Sequence, residues 1–203
     1  FRDITWVKRS AVMELSRDTL LRGELVLWQP VRGEGYRFNL DPVFLAGFVA
    51  PCETVVDLGA GCGVLGLYLL KTGRAKRLIA VERIPEMAAV IRKNAAENGL
   101  SDLTEVICAD LRELAYENVG TVVFNPPYFR ANQGRPAKNP LRDAGRFERY
   151  GTLKDFVEVA GRAAGQSHEV AAIVPTARAD DLAGCFEAQQ LSTTRRRPVL
   201  TRA

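Results

Sequence analysis

An α/β fold, with a doubly wound and mostly parallel sheet covered by helices on both faces, is what this 203-residue sequence predicts. Three observations carry that expectation. From residue 54 onward, short apolar β-branched runs alternate with stretches of helical periodicity, the pattern of successive strand-helix-strand units. The first of these runs passes straight into closely spaced glycines, as a strand does when it turns sharply into a helix. A hydrophobic content of 47% in a chain of this length suits one substantial core, hence one α/β domain.

Taken in order, residues 25–29 and 36–38 read as short strands around the turn Arg32-Gly33-Glu34-Gly35, an N-terminal hairpin. Asp41 caps a helix with Pro42 in its first turn and Val43, Phe44, Leu45 and Phe48 available to a core. Residues 54–58 form a strand and 64–71 a helix that Gly73 stops. Residues 77–81 form the second strand of this unit, which should cross over right-handed. Pro85 opens a helix with Met87, Val90 and Ile91 on one face and Gly99 at its end. Strands follow at 104–108 and 121–124, with too few periodic apolar residues between them for a long helix. Thr152 caps a helix bearing Leu153, Phe156, Val157 and Ala160 that ends at Gly165. A fifth strand at 169–174, a helix at 177–190 and a sixth strand at 196–201 complete the reading. Residues 1–50 are expected to pack, as hairpin and helix, on a catalytic domain formed by 51–203.

Composition excludes several classes. The longest apolar runs are too short to span a bilayer and no leader pattern opens the chain, so a soluble cytoplasmic protein is expected. Cys52, Cys62, Cys108 and Cys185 have no paired spacing and His168 is the sole histidine; no disulfide framework, metal site or His-centred triad is expected. The net charge of +4 merely permits an anionic partner. The basic residues gather as Arg130, Arg135, Lys138, Arg142, Arg146 and Arg149 in one irregular stretch, and as Arg195, Arg196 and Arg197 near the end. Each group suits a solvated surface as well as a phosphate-contacting one.

The first constellation with chemistry is Val55-Val56-Asp57-Leu58-Gly59-Ala60-Gly61-Cys62-Gly63. A strand that ends in alternate glycines lets a ligand approach the backbone at the ligand end of such a sheet. Gly61-Cys62-Gly63-Val64-Leu65-Gly66 also satisfies the dinucleotide pattern, and Glu82 ends the next strand as a ribose-binding acid does. Asp57 separates the two readings, because a carboxylate there disfavours a pyrophosphate and favours a cationic amino-acid ligand. Glu82 either accepts two ribose hydroxyls or pairs with Arg83 or Arg92 at the surface.

The second is Asn125-Pro126-Pro127-Tyr128, directly after the strand at 121–124. Two prolines fix the backbone and cannot donate to a ladder, so Asn125 and the Pro126 carbonyl present acceptor oxygens. An exocyclic amine is a poor nucleophile because its lone pair is delocalised into the ring. Two acceptors on its two hydrogens favour a pyramidal nitrogen and free that pair in the transition state. Tyr128 offers a face for a stacked base, worth ~1–3 kcal/mol.

The glycine turn resembles motif I of the class I methyltransferases, whose fold is Rossmann-like, and Asn125-Pro126-Pro127-Tyr128 resembles motif IV of their amino-directed members. The resemblance implies S-adenosylmethionine as cofactor, with Asp57, Gly59, Gly61 and Gly63 around its methionine portion, Glu82 at its ribose, and Asn125 beside its methyl. It also places Asp110 at the adenine amino group, although a turn cap ahead of Leu111 explains that residue equally. Together with the run from Gly35 to Ala46 and Thr152-Leu153-Lys154-Asp155-Phe156, these motifs look like the bacterial tRNA adenine-N6 methyltransferases acting beside the anticodon of valine tRNA. That family implies further cofactor contacts at Tyr36, Asn39 and Asp41, which a cap and a hairpin strand would explain as well.

On this reading Asn125, Pro126 and Tyr128 are catalytic, and Pro127, Tyr128, Phe129, Arg130 and Arg135 flank the base pocket of an RNA-binding monomer or weak homodimer. The alternatives are a methyltransferase for rRNA guanine N2 or protein glutamine, and a non-catalytic nucleotide- or NAD-binding module. Sheets of the class I family end in an antiparallel seventh strand, for which only Arg202 and Ala203 follow 196–201; either that strand is missing here or the fold closes differently.

Overall fold

The computed structural model describes residues 13–35, 37–128, 148 and 151–199. An N-terminal antiparallel hairpin is present, but its strands are β1 (Leu15–Leu20) and β2 (Leu25–Pro30). The expected partner at 36–38 is not a strand at Arg37 or Phe38, and Tyr36 lies outside the described residues. Arg37 instead donates to Ser16, Asp18 and the Pro30 carbonyl, which ties the chain across the end of the hairpin. The turn that the sequence reading passed over is at 21–24, where Gly23 takes φ +98° after two residues that also have positive φ.

The free edge of β2 is satisfied in an uncommon way. Asn94 accepts from the Trp28 N–H and donates to its carbonyl, and Asn98 does the same for Val26. Residues four apart on a helix rise about 6 Å, close to the repeat of two residues on a strand. The two amides therefore stand in for a neighbouring strand.

Helix α1 (Asp41–Phe48) has Pro42 in its first turn, as predicted, but Asp41 is its first residue rather than its cap: the N-cap is Leu40, with no side-chain cap bond, and the Asp41 carboxylate is taken up by Tyr128 and Asn39. Next comes the central strand β3 (Cys52–Leu58), whose last four residues are all buried. Its side chains alternate between two cores: Val55 faces one, and Val56 and Leu58 the other. After α2 (Val64–Lys71), strand β4 (Ala75–Val81) repeats the alternation, with Leu78 and Ala80 against Ile79 and Val81. Helix α3 (Pro85–Glu97) joins α1 and α2 over the first core. Strands β5 (Thr104–Ile107) and β6 (Thr121–Phe124) follow, separated only by a short 3-10 turn at Leu111–Glu113. Helix α4 (Leu153–Ala164) starts with a reciprocal capping box between Thr152 and Asp155 and covers the second core. Strand β7 (Val170–Ala172) and helix α5 (Ala179–Ala188) end the described elements.

The sheet is parallel throughout, in the order β5-β4-β3-β6-β7. This is the expected doubly wound, Rossmann-like architecture. The expected sixth strand at 196–201 is not formed at 196–199, which is exposed and carries no ladder, while 200–201 lie outside the described residues. Three consecutive arginines have no apolar face to bury and Pro198 has no N–H to donate. Arg195 instead lies over the Phe48 ring and bonds its carbonyl. Among the described residues no helix is long and apolar enough to cross a membrane.

Candidate active site

The carboxyl ends of β3, β4 and β6, with the chain just beyond β5, wall a cavity of ≈ 140 Å³, where open α/β sheets bind ligands. From β3 and its loop come Asp57, Gly59, Ala60, Gly61 and Cys62; from β4, Glu82, Arg83 and Ile84; from beyond β5, Asp110 and Leu111; from beyond β6, Asn125 and Pro127. Phe38, Pro42 and Phe156 are also part of the wall, with apolar residues of α2 and α3 such as Leu65 and Met87. Phe156, expected in the core, sits against Phe124 with ring centroids 5.6 Å apart and also faces the cavity.

The glycine loop has two functions. Gly61 adopts φ +59° and nothing lies within 4 Å of where its Cβ would stand, so the missing side chain leaves space at the cavity. Gly63 does not line the cavity; a Cβ there would sit 3.1 Å from Ile91, so this glycine serves the packing of α2 on α3. The loop is held from β4. The Gly59 and Ala60 N–H groups both donate to the Val81 carbonyl, at 2.9 and 3.0 Å.

Glu82 continues that anchorage. Its Oε2 accepts from the Gly61 N–H at 2.9 Å and its Oε1 from the Ile84 N–H at 2.8 Å. Arg92 is engaged elsewhere, on the Val106 carbonyl. Glu82 is therefore a buried acid fixed by backbone donors, each oxygen keeping a second lone pair. Burial pushes its carboxyl above the ordinary value.

Asp57 is 2% exposed, and its Oδ2 accepts from the Gly66 N–H at 3.1 Å. Burial pushes its pKa up to about 7, with the Gly66 bond opposing and the Glu82 charge reinforcing the shift. Beside it the Cys62 thiol is pushed up to about 12 by burial, so it stays neutral.

Asp110 is the turn cap that the sequence allowed, and it faces the cavity as well. It caps the 3-10 turn through the Arg112 N–H, and the Arg112 guanidinium clasps both of its oxygens at 2.9 and 2.7 Å. These bonds hold the carboxyl below its usual value.

At the end of β6, the Asn125 Oδ1 is buried and accepts no hydrogen bond among the described residues. Such an acceptor costs about 1–3 kcal/mol when left without a donor. Pro126 is buried outside the cavity wall, whereas Pro127 is part of it. The Tyr128 hydroxyl donates to Asp41 Oδ2, which also accepts from Asn39 Nδ2 at 2.7 Å. Asn39 and Asp41 thus lie outside the wall and brace Tyr128 from the start of α1. Tyr36, Phe129, Arg130 and Arg135 fall outside the described residues. Arg195 contacts Phe48 and lies 3.9 Å from Glu169, residues that precede β3 and β7. That places it at the opposite end of the sheet from the cavity.

A parallel sheet ending in this glycine turn and in an Asn-Pro-Pro-Tyr corner is the Rossmann-like architecture of a methyltransferase domain. The chain belongs to the TRM5/TYW2 methyltransferase domain family, whose model matches residues 35–166. It is 31% identical over 135 residues, 66% of its length, to a tRNA1(Val) (adenine(37)-N6)-methyltransferase of Aeromonas hydrophila subsp. hydrophila, and covers 56% of that protein. It is 32% identical over 117 residues, 55% of its length, to a release factor glutamine methyltransferase of Cereibacter sphaeroides, of which it covers 42%. The chain thus spans about half the length of these relatives. In fold it is similar to M. jannaschii TYW2 in complex with AdoMet, with TM-score 0.51, 17% identity, and 79% and 61% of the two chains covered.

The wall suits S-adenosylmethionine. Asp57 and Glu82 are buried carboxyls without a basic side chain bonded to them among the described residues, fit for a cationic ligand that carries hydroxyls.

Proposed function

We propose that this domain methylates the N6 amino group of an adenine in tRNA. The observation that carries the reading is the Asn125 Oδ1, a buried acceptor in the wall residue that ends β6, lacking a donor among the described residues. An amine hydrogen supplies that donor. Asn125 accepts one hydrogen of the substrate NH2 and the Pro126 carbonyl accepts the other, which localises the nitrogen lone pair when the transition state forms.

S-adenosylmethionine supplies a methyl carbon on a sulfonium, which the nitrogen takes as the C–S electron pair returns to sulfur, leaving S-adenosylhomocysteine and an amine proton to be released. Asp57, Gly59 and Gly61 hold its methionine part, Glu82 its ribose and Asp110 its adenine end. Gly63 contributes by seating α2. Tyr128, braced by Asp41 and Asn39, stacks the target base beside Pro127. Phe129, Arg130 and Arg135 extend that surface toward the RNA backbone.

Adenine in tRNA is favoured over glutamine by the A. hydrophila relative, for which the matched share of both chains is larger than for the glutamine methyltransferase. Replacing Asn125 by Ala should lower turnover on a tRNA pool by about 10²–10³-fold, with S-adenosylmethionine affinity unchanged in calorimetry. Full activity in that variant contradicts the assignment.

A further inference from the structure

We propose that Arg178, through its ion pair with Glu148, is a positioning residue for the Asn125-Pro126-Pro127-Tyr128 corner. The proposal rests on the methyl-transfer reading for its effect on turnover, but neither Arg178 nor Glu148 is part of the cavity wall. Arg178 ends the 3-10 turn Thr176–Arg178 that leads from β7 into α5. Its side chain is 11% exposed and that of Glu148 8%. The Arg178 Nη1 donates to Glu148 Oε1 at 2.7 Å and faces the Pro127 carbonyl at 3.4 Å, while Nε lies 3.5 Å from Asp181 Oδ2. The same Glu148 oxygen accepts from the N–H of Leu153, the first residue of α4, at 2.9 Å.

One guanidinium thus joins three segments: the corner after β6, the entry to α4 and the turn after β7. The chemistry of the corner explains why a donor is needed there. Pro126 and Pro127 have no N–H, so over these two residues the backbone can be tethered only by its carbonyls. Arg178 supplies a donor at one end, and Tyr128 bonds Asp41 at the other. Asn125 lies between these two tethers and the β6 ladder, which ends at Phe124 paired with Leu58. A buried ion pair adds little stability over an apolar replacement, so holding the corner is the stronger reason for it. The rigid fork of arginine suits that task, and the single charge of lysine does not.

The test compares the full chain with Arg178→Met, Arg178→Lys, Glu148→Gln and the double Arg178→Met/Glu148→Gln, using labelled S-adenosylmethionine and total tRNA. The Arg178 variants and the double should lose about 10²-fold in kcat, the scale of an ångström-sized misplacement, while affinity for S-adenosylmethionine stays within about twofold. A pair that serves stability alone predicts a double variant with wild-type kcat, since no charge is left unpaired; that result overturns the proposal. Amide exchange of the peptide over 121–128 in the free protein reads the same question without turnover. It should quicken in Arg178→Met and in the double, with peptides from β3 and β4 unchanged, and an unaltered rate overturns the proposal. Should the wild-type chain methylate no RNA, the functional reading fails and the exchange result alone decides the role of Arg178.

Discussion

Asp57 is a carboxyl with almost no solvent and one backbone donor, and its protonation follows from that setting. Its folded pKa of about 7 stands above the ordinary aspartate value of 3.8. The folded state therefore retains a proton that the unfolded chain loses between these values. Stability from this group is complete below the unfolded value and is lost as pH rises to about 7. Glu82, also raised by burial, acts in the same direction, and Asp110, lowered by Arg112, acts in the opposite one below the ordinary carboxylate range. Asp57→Asn should gain on the wild type in thermal unfolding as pH rises from about 5 to 8; a constant difference contradicts the raised pKa. A cationic ligand reverses the preference of Asp57 for its proton. S-adenosylmethionine should bind the wild type more tightly as pH approaches 7, a dependence calorimetry should find weakened in Asp57→Asn. At this scale Asp57, Gly61 and Asn125 were legible because each belongs to a contiguous motif whose backbone demands are local. Arg178 was not, since its partners Pro127 and Glu148 come from distant parts of the chain.

The elements depend on a few close approaches. A Cβ on Gly120 would lie 2.5 Å from the Thr54 carbonyl oxygen, a backbone atom that no rotamer change can move aside. Gly120→Ala should cost ~1–3 kcal/mol in denaturant unfolding by forcing β6 away from β3; a neutral effect contradicts the close strand contact. Asn94→Ala should cost about 3 kcal/mol, because it strands the Trp28 N–H and carbonyl and the Cys62 carbonyl. Amide exchange at β2 should rise in that variant while β4 stays protected. The sequence placed α2 and β6 at their observed bounds because glycines and prolines punctuate them. It missed β1, whose run Leu-Ser-Arg-Asp-Thr-Leu is too polar to announce a strand. The pairing of β2 with two asparagines of α3 has no local signature at all.

Over the whole molecule, strand-helix alternation makes the doubly wound sheet readable from sequence, because burial on both faces demands apolar strands and amphipathic helices together. The arginine run near the C-terminus misled, since a strand was inferred where no apolar face exists to pack. Electrostatics belongs to this scale as well. If Arg130 and Arg135 contact phosphates, the pair of alanine substitutions should weaken tRNA binding and reduce its logarithmic salt slope by about 1.4–1.8 for two contacts, with S-adenosylmethionine affinity unchanged. The central claim, methyl transfer to an adenine amino group in tRNA, is tested most directly by incubating the chain with labelled S-adenosylmethionine and separate pools of tRNA, rRNA, DNA and protein, then analysing nucleosides by mass. The account predicts N6-methyladenosine from the tRNA pool; label confined to protein would contradict it.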